Sequence, residues 1–364
     1  MKIYLHIGAG KCASSTIQNY FSYHYANGGF SYGCLREGGE ILYGSRVKHA
    51  AMISPGNYGV SWSLKSSVDD EFKSQFRESL KKISKTTETL LLSSEGWSNK
   101  VDLFGQMESV FEGFDVAVIM IVRPPVLWMN SAWWQWQQWM KVDLDSWANR
   151  ANVAHRWLSS YQSFKRLSYV SEIQVLALNP NILKDVGGIL GVEIQDSDRK
   201  HNSASSSELL NFFKMKRSLR PDAHEPQSEF VLNKYLRKRS PSDWVLTAEN
   251  IENILSNSRS SCQRLAKVIK NEDITKNSLW WELDAYDDKI DKLRRNRKLN
   301  RVVLASMLEE AYQVIIDLDK DKRIKNLEKD HVSELINIAS SIENNNIEEA
   351  YRLLKIAQAI RPNG

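Results

Sequence analysis

Hydrophobic positions in the first half of the chain switch between two periods. Lys2 to Ile7 (KIYLHI), Thr89 to Ser93 (TLLLS), Asp115 to Val122 (DVAVIMIV) and Glu172 to Leu178 (EIQVLAL) are short apolar runs rich in branched residues and bounded by polar ones. Such runs predict buried strands. Between them, Ser15 to Tyr25 sets Ile17, Tyr20, Phe21 and Tyr25 at helical spacing, and Phe72 to Ile83 also reads as a helix. Residues 26–70, rich in Gly, Ser and Tyr, show little periodicity and predict turns and short strands. Strands that alternate with helices predict the α/β class, here three α/β/α layers around a central parallel sheet, with ligands outside the carboxyl ends of the strands.

Beyond about residue 205 the pattern is almost wholly helical, with Ser260 to Ile269 packing back onto the sheet, and from about 285 it becomes long amphipathic helices. This divides the chain into a main domain, 1–283, and a helical extension, 284–364. The last hairpin carries Ala339, Ala350, Leu354, Ala357 and Pro362 where a tetratricopeptide unit has its small, large and terminating residues. One unit cannot bury its own face, so the hairpin is expected to cap the preceding helices or to form a protein contact or self-association surface.

Bulk properties narrow the field. The longest apolar run, Val116 to Val122, is too short for a membrane span. The start of the chain lacks the apolar core of a signal peptide, and three scattered cysteines suit a reducing compartment, so a cytoplasmic location is expected. The formal charge is only +5, and the basic stretch Lys289 to Arg301 is interleaved with Asp291 and apolar residues. That pattern fits a solvated helix face and argues against nucleic acid as a partner.

Three segments at predicted strand ends carry chemistry. In LHIGAGKCASSTIQ, Gly8, Ala9 and Gly10 let the backbone turn closely, Lys11 adds a charge, Cys12 and Ala13 complete the turn, and Ser14, Ser15 and Thr16 open a helix. A strand-to-helix loop of this kind offers free amides and a helix dipole to an anion. It is not a Walker loop, because Cys12 follows Gly10-Lys11 and Leu5 stands five positions before Gly10. Gly8, Gly10 and Ala13 fit a loose dinucleotide fingerprint, yet no second strand ends in an acid at the required distance. In IVRPPVLWMNSAWW, Ser131 follows Arg123 by eight residues, and in LLLSSEGWS a strand stops just before Glu95.

These segments resemble sulfotransferases that use 3′-phosphoadenosine 5′-phosphosulfate (PAPS), particularly the bacterial branch with loops like HIGxxKTGTTSIQ. His6-Ile7-Gly8, Lys11, Ser14-Ser15 and Ile17-Gln18 match that loop, whereas Cys12 replaces a usual Thr and Ala13 a usual Gly. The resemblance covers about residues 1–280. It implies that residues 8–16 hold the 5′-phosphosulfate, that Arg123 and Ser131 hold the 3′-phosphate, and that no metal is needed. A bidentate guanidinium with a supporting hydroxyl suits a dianionic phosphate. The family's Asp or Asn after the arginine is Pro124 here. Glu95 stands where the family carries its catalytic base, with Lys11 beside it and His49 as the alternative base or substrate contact. Arg199, Lys200, Asn202 and Ser203 resemble the late loop that closes over the nucleotide, although Ser205 or Ser206 as a helix N-cap explains the same stretch.

The acceptor is the open question. Five tryptophans fall within residues 128–139, and Trp133 with Trp136 would share one helix face with Met140 as ordinary core. Trp97, Trp133, Trp134 and Trp136 are the expected acceptor contacts, with Tyr23, Tyr25, Tyr32, Tyr43, Tyr58 and Trp62 as additions. They suit a glycan or a small cationic metabolite. The alternatives are a small-molecule kinase and a non-catalytic nucleotide-binding scaffold.

Overall fold

The computed structural model describes residues 1–364 except 65–67, 141, 151–152, 196–204, 224, 237–242, 270–272, 294–300, 343–345 and 361–364. The first half runs β1 (Lys2–His6), α1 (Ser14–Tyr23), β2 (Ala26–Asn27), β3 (Phe30–Leu35), β4 (Ile41–Tyr43), α2 (Ser45–Ile53), α3 (Asp70–Ile83), β5 (Thr89–Ser93), α4 (Val101–Gly105), α5 (Glu108–Phe111), β6 (Asp115–Val122) and α6 (Pro125–Gln135). It continues through α7 (Leu144–Arg150), α8 (Val153–Phe164), β7 (Val170–Ala177) and α9 (Ile182–Leu190). The remainder is helical: α10 (Ser207–Met215), α11 (Gln227–Tyr235), α12 (Ala248–Ala266), α13 (Asp273–Lys276), α14 (Asp287–Leu293), α15 (Arg301–Ile342) and α16 (Ile347–Ile360).

Among the described residues the strands form one seven-stranded sheet in the order β2-β3-β5-β1-β6-β7, with β4 paired to β3. The pairs β3·β5, β5·β1, β1·β6 and β6·β7 are parallel, and the short β2 and β4 add antiparallel edges. The fold is therefore α/β with a mainly parallel sheet. Helices cover both faces, which is why β5 and β6 read as unbroken apolar runs: seven of the eight residues of β6 are buried. From β1 the chain moves to β3 and β5 on one side, then crosses to β6 on the other. The switch point thus lies at the carboxyl end of β1, where the ligand crevice of an open α/β sheet belongs.

The stretch 26–70 is the part that periodicity described least well. All six residues of β3 are buried, and an added Cβ on its Gly33 would lie 2.8 Å from Ile41 and 3.0 Å from Leu92. A strand sandwiched on both faces has no alternation to detect, and its glycine is there for close packing. Ser206, not Ser205, caps α10 by accepting from the Leu209 amide. Cys262, Leu265 and Ile269, in and just after α12, belong to the core.

The chain divides into two compact units, Met1–Asn233 with Lys238–Lys298, and Lys234–Arg237 with Leu299–Gly364. The first unit runs past the expected boundary at 283: Tyr286, three residues later, is fully buried in its core and stacks on Trp244. In the second unit α15 is a single 42-residue helix that packs against α16. Ala339 and Ala350 are buried there and Leu354 is exposed. No helix among the described residues is long and apolar enough to cross a membrane.

Candidate active site

The loop from Ile7 to Ala13 begins where the sheet's ladders end. The Ile7 amide still bonds to Ile119, and the Ser94 amide to His6, so β5 and β1 end level while β6 runs three residues further, to Val122. Two non-glycine residues of the loop are left-handed, Lys11 (φ 66°) and Ala13 (φ 65°). A glycine at position 13 would adopt that conformation freely, and the Cβ of Ala13 makes it strained here. Ala13 is also the N-cap of α1 and gives no side-chain hydrogen bond, so the first amides of the helix are left for another partner.

Gly8 and Gly10 are required by space. An added Cβ at Gly8 would lie 2.7 Å from Ser14 Oγ and 3.1 Å from His6 Nε2, and one at Gly10 would lie 2.6 Å from the Trp136 ring. Ser14 Oγ and His6 Nε2 are both buried without a hydrogen-bond partner among the described residues. Ser15 faces Tyr58, whose phenol is pushed up by enclosure and by Glu95, and Thr16 stands in the first turn of α1. Cys12 is fully buried, and burial pushes its thiol up to about 12, so it is packing and not a nucleophile. His6 bonds through Nδ1 to Ser93 Oγ at 2.8 Å, and Gln18 Nε2 donates to the same oxygen.

Arg123 follows the last residue of β6, and its Nη1 donates both to Lys11 O (2.9 Å) and to Ser131 Oγ (3.2 Å). The two residues paired by sequence spacing are therefore together, and Arg123 touches the loop directly. Ser131 lies in the second turn of α6 and not at a helix start, while Pro124 and Pro125 supply the N-cap and first position of that helix without a side-chain cap. Arg123 Nε is buried and unpartnered.

Glu95 lies two residues beyond β5, and its Oε2 would be 3.5 Å from a Cβ on Gly10. Solvent reaches it through the cavity, yet protein encloses it on its other sides. That enclosure raises its carboxyl above the ordinary 4.5, and Lys11 opposes the rise. Because water still reaches the group, the rise is smaller than full burial would give. Lys11 donates from Nζ to Gln135 Oε1 at 3.3 Å. Its ammonium is lowered, first by enclosure and then by Arg123 and Arg220, with Glu95 opposing.

Arg220 escaped the reading of the sequence. It is fully buried, pairs with Glu229, donates to Gln135 O at 3.0 Å, and lies 4.3 Å over the Trp139 ring. Nothing in SLRPDA distinguishes it from a surface arginine until α11 brings Glu229 to it. Arg220 is answered by Glu229, and Lys11 has Glu95 as its opposing carboxylate. Two cations, a free helix start and two unpartnered buried groups, Ser14 Oγ and Arg123 Nε, form a site for a multiply charged anion.

Beside the loop opens a cavity of about 1260 Å³, lined among others by Ala9, Gly10, Trp62, Glu95, Trp128, Trp136, Trp139, Arg156 and Trp157. Of the four expected tryptophan contacts only Trp136 lines it. Trp97 is fully buried and donates to Trp62 O; Trp134 is buried and donates to Asp243 O; Trp133 packs on Trp147. The helical face expected through Met140 is interrupted because α6 stops at Gln135, and a 3₁₀ turn over Gln137–Trp139 re-aims the later rings. Met140 is 57% exposed. His49 is exposed on α2 and does not line the cavity, so neither role expected of it, base or substrate contact, has support in its position. Tyr32 is fully buried and donates to Gly59 O. Arg199, Lys200, Asn202 and Ser203 lie outside the described residues.

No protein-family model matches the chain, and no curated protein matches it. Among solved structures the chain is similar to a sulfotransferase from Alicyclobacillus acidocaldarius, with 10% identity and a TM-score of 0.36, covering 75% of this chain and 98% of that one.

Proposed function

We propose that the chain is a PAPS-dependent sulfotransferase that moves a sulfuryl group to a hydroxyl or amine of an acceptor held in the tryptophan-lined cavity. One observation carries the reading: Lys11, Glu95, Arg123 and Ser131, singled out in three separate segments, converge on a single loop, with Arg123 touching both Ser131 and the Lys11 carbonyl. The unpartnered Ser14 hydroxyl and Arg123 Nε fit a nucleotide carrying phosphate at both ends, and Gly8 lets Ser14 and His6 pack against the loop where a Cβ would collide with them.

When bound, PAPS supplies the sulfuryl group, and its leaving fragment is adenosine 3′,5′-bisphosphate. Glu95 takes the proton from the acceptor as the acceptor's oxygen or nitrogen bonds to sulfur. The bond from sulfur to the 5′-phosphate oxygen breaks on the opposite side. Lys11, the first amides of α1 and the Ser14 hydroxyl stabilise the charge that gathers on that oxygen. Arg123 and Ser131 hold the 3′-phosphate and so fix the donor's orientation. The raised carboxyl of Glu95 suits a base, since a carboxylate at its ordinary pKa holds a proton less well.

Calorimetry with adenosine 3′,5′-bisphosphate tests the reading. Wild type should bind it in preference to ATP with Mg²⁺, and Arg123→Ala should weaken binding by roughly ten- to a hundredfold, the worth of lost charge-assisted hydrogen bonds. Absence of binding by wild type refutes the donor assignment, and a preference for ATP turns the reading towards a kinase.

A further inference from the structure

We infer that Trp128 is a positioning residue that aims a backbone amide of the anion loop while its ring forms part of the acceptor cavity. Its indole Nε1 donates to Gly10 O at 2.8 Å. The chain has no cis peptide bonds among the described residues, and in a trans peptide the carbonyl and the following N–H point in opposite directions. Tying the Gly10 carbonyl to Trp128 therefore points the Lys11 N–H away from the tryptophan. That amide makes no hydrogen bond with another described residue.

Lys11 has φ 66°, a conformation that a non-glycine residue holds only when its surroundings compel it. The compulsion is visible at both of its peptide groups. Trp128 holds the carbonyl before it and Arg123 Nη1 holds its own carbonyl at 2.9 Å. Were the Gly10–Lys11 peptide to flip, the Trp128 donor would lose its acceptor and the loop would present an oxygen where it now presents an N–H. Such a flip would turn an anion-binding element into an anion-repelling one.

The same tryptophan faces the acceptor side. Its ring lines the cavity, lies 5.9 Å from Trp136 and 6.4 Å from Trp157, and is braced by both. Trp136 in turn covers the Cα of Gly10. An acceptor that presses on this wall bears on the group that orients the donor loop, which couples the two halves of the site through one side chain. The inference rests on residues 8–16 being an anion loop, as proposed above, and not on which nucleotide it holds.

The test uses the full-length ¹⁵N-labelled chain, wild type and Trp128→Phe, titrated with adenosine 3′,5′-bisphosphate. Phenylalanine keeps an aromatic ring and removes the donor. The dissociation constant should rise by roughly five- to tenfold, as for loss of one hydrogen bond, and the shift of the Lys11 amide resonance on ligation should largely disappear. Equal affinity and an equal Lys11 shift in both proteins overturn the inference. If wild type does not bind the bisphosphate, the donor assignment fails by itself, and inorganic sulfate becomes the probe. A Lys11 shift with sulfate in wild type but not in Trp128→Phe upholds the positioning role, whereas the same response in both, or none in either, overturns it. Should the variant not fold, the Trp128 indole N–H resonance of wild type decides: it moves on ligation if it holds the loop, and an unmoved resonance refutes the role.

Discussion

Acidification should destabilise the first unit through His6, by an amount that can be worked from the structure. His6 is 1% exposed, sits beneath the anion loop, and has no carboxylate partner; burial lowers its pKa from 6.5 to about 4. In the unfolded chain it takes up a proton below 6.5, whereas in the folded protein it does so only below about 4. Its contribution to stability is therefore complete above pH 6.5 and is lost as the pH falls from 6.5 towards 4. At pH 5 the loss is about 2 kcal/mol, and it approaches about 3 kcal/mol at the lower end of the window. Urea unfolding followed by tryptophan fluorescence measures it cleanly, because all 12 tryptophans lie in the first unit. Comparison of pH 7 with pH 5 in wild type and His6→Gln separates His6 from other titrating groups. Glutamine keeps an amide for Ser93 and cannot be protonated, so the variant should lose about 2 kcal/mol less than wild type over this interval. A pH dependence equal in the two proteins would refute the reasoning. Such a result would mean that water or a conformational opening solvates the ring in the folded state.

Glu95→Gln should lower turnover by roughly a hundred- to ten-thousandfold, as loss of a general base does. Its affinity for adenosine 3′,5′-bisphosphate should be unchanged or tighter, since a negative charge beside Lys11 is removed; retained turnover would exclude Glu95 as the base. In wild type, kcat/KM should rise with pH through a value above 4.5, the direction in which enclosure moves Glu95, and this limb should be absent from the residual rate of Glu95→Gln. Gly10→Ala puts a methyl group 2.6 Å from Trp136, so it should impair binding and turnover, and Trp136→Leu should relieve part of the loss. The coupling between the two changes should be about 0.5–3 kcal/mol in a double-mutant cycle on kcat/KM, and simple additivity would show that the contact is not felt.

The sequence by itself determined the elements whose pattern is local. The runs at 2–7, 89–93 and 115–122 are strands because their unbroken apolar character demands burial on both faces, and the alternation with helices made the sheet mainly parallel. The resemblance of three strand-end segments to a known family pointed to Lys11, Glu95, Arg123 and Ser131 as candidates. Local pattern could not reach β3, whose two buried faces leave no alternation, or the true extent of the first unit, which depends on where Tyr286 packs.

Only the tertiary structure decided the roles of the aromatic and basic residues. A tryptophan reads alike in core and cavity, and its place depends on where its helix ends. One residue after α6 stops, Trp136 reaches Gly10, while Trp134, still helical, is buried with its N–H on Asp243. Trp128 is silent in sequence because its partner, Gly10 at a separation of 118, is supplied by the sheet's crossovers, and Arg220 because Glu229 and Gln135 reach it only through the packing of helices. Side-chain type and spacing fix what a residue can do within a few turns of chain. Which distant carbonyl, ring or charge it meets is set by long-range packing, and that is where this site was assembled.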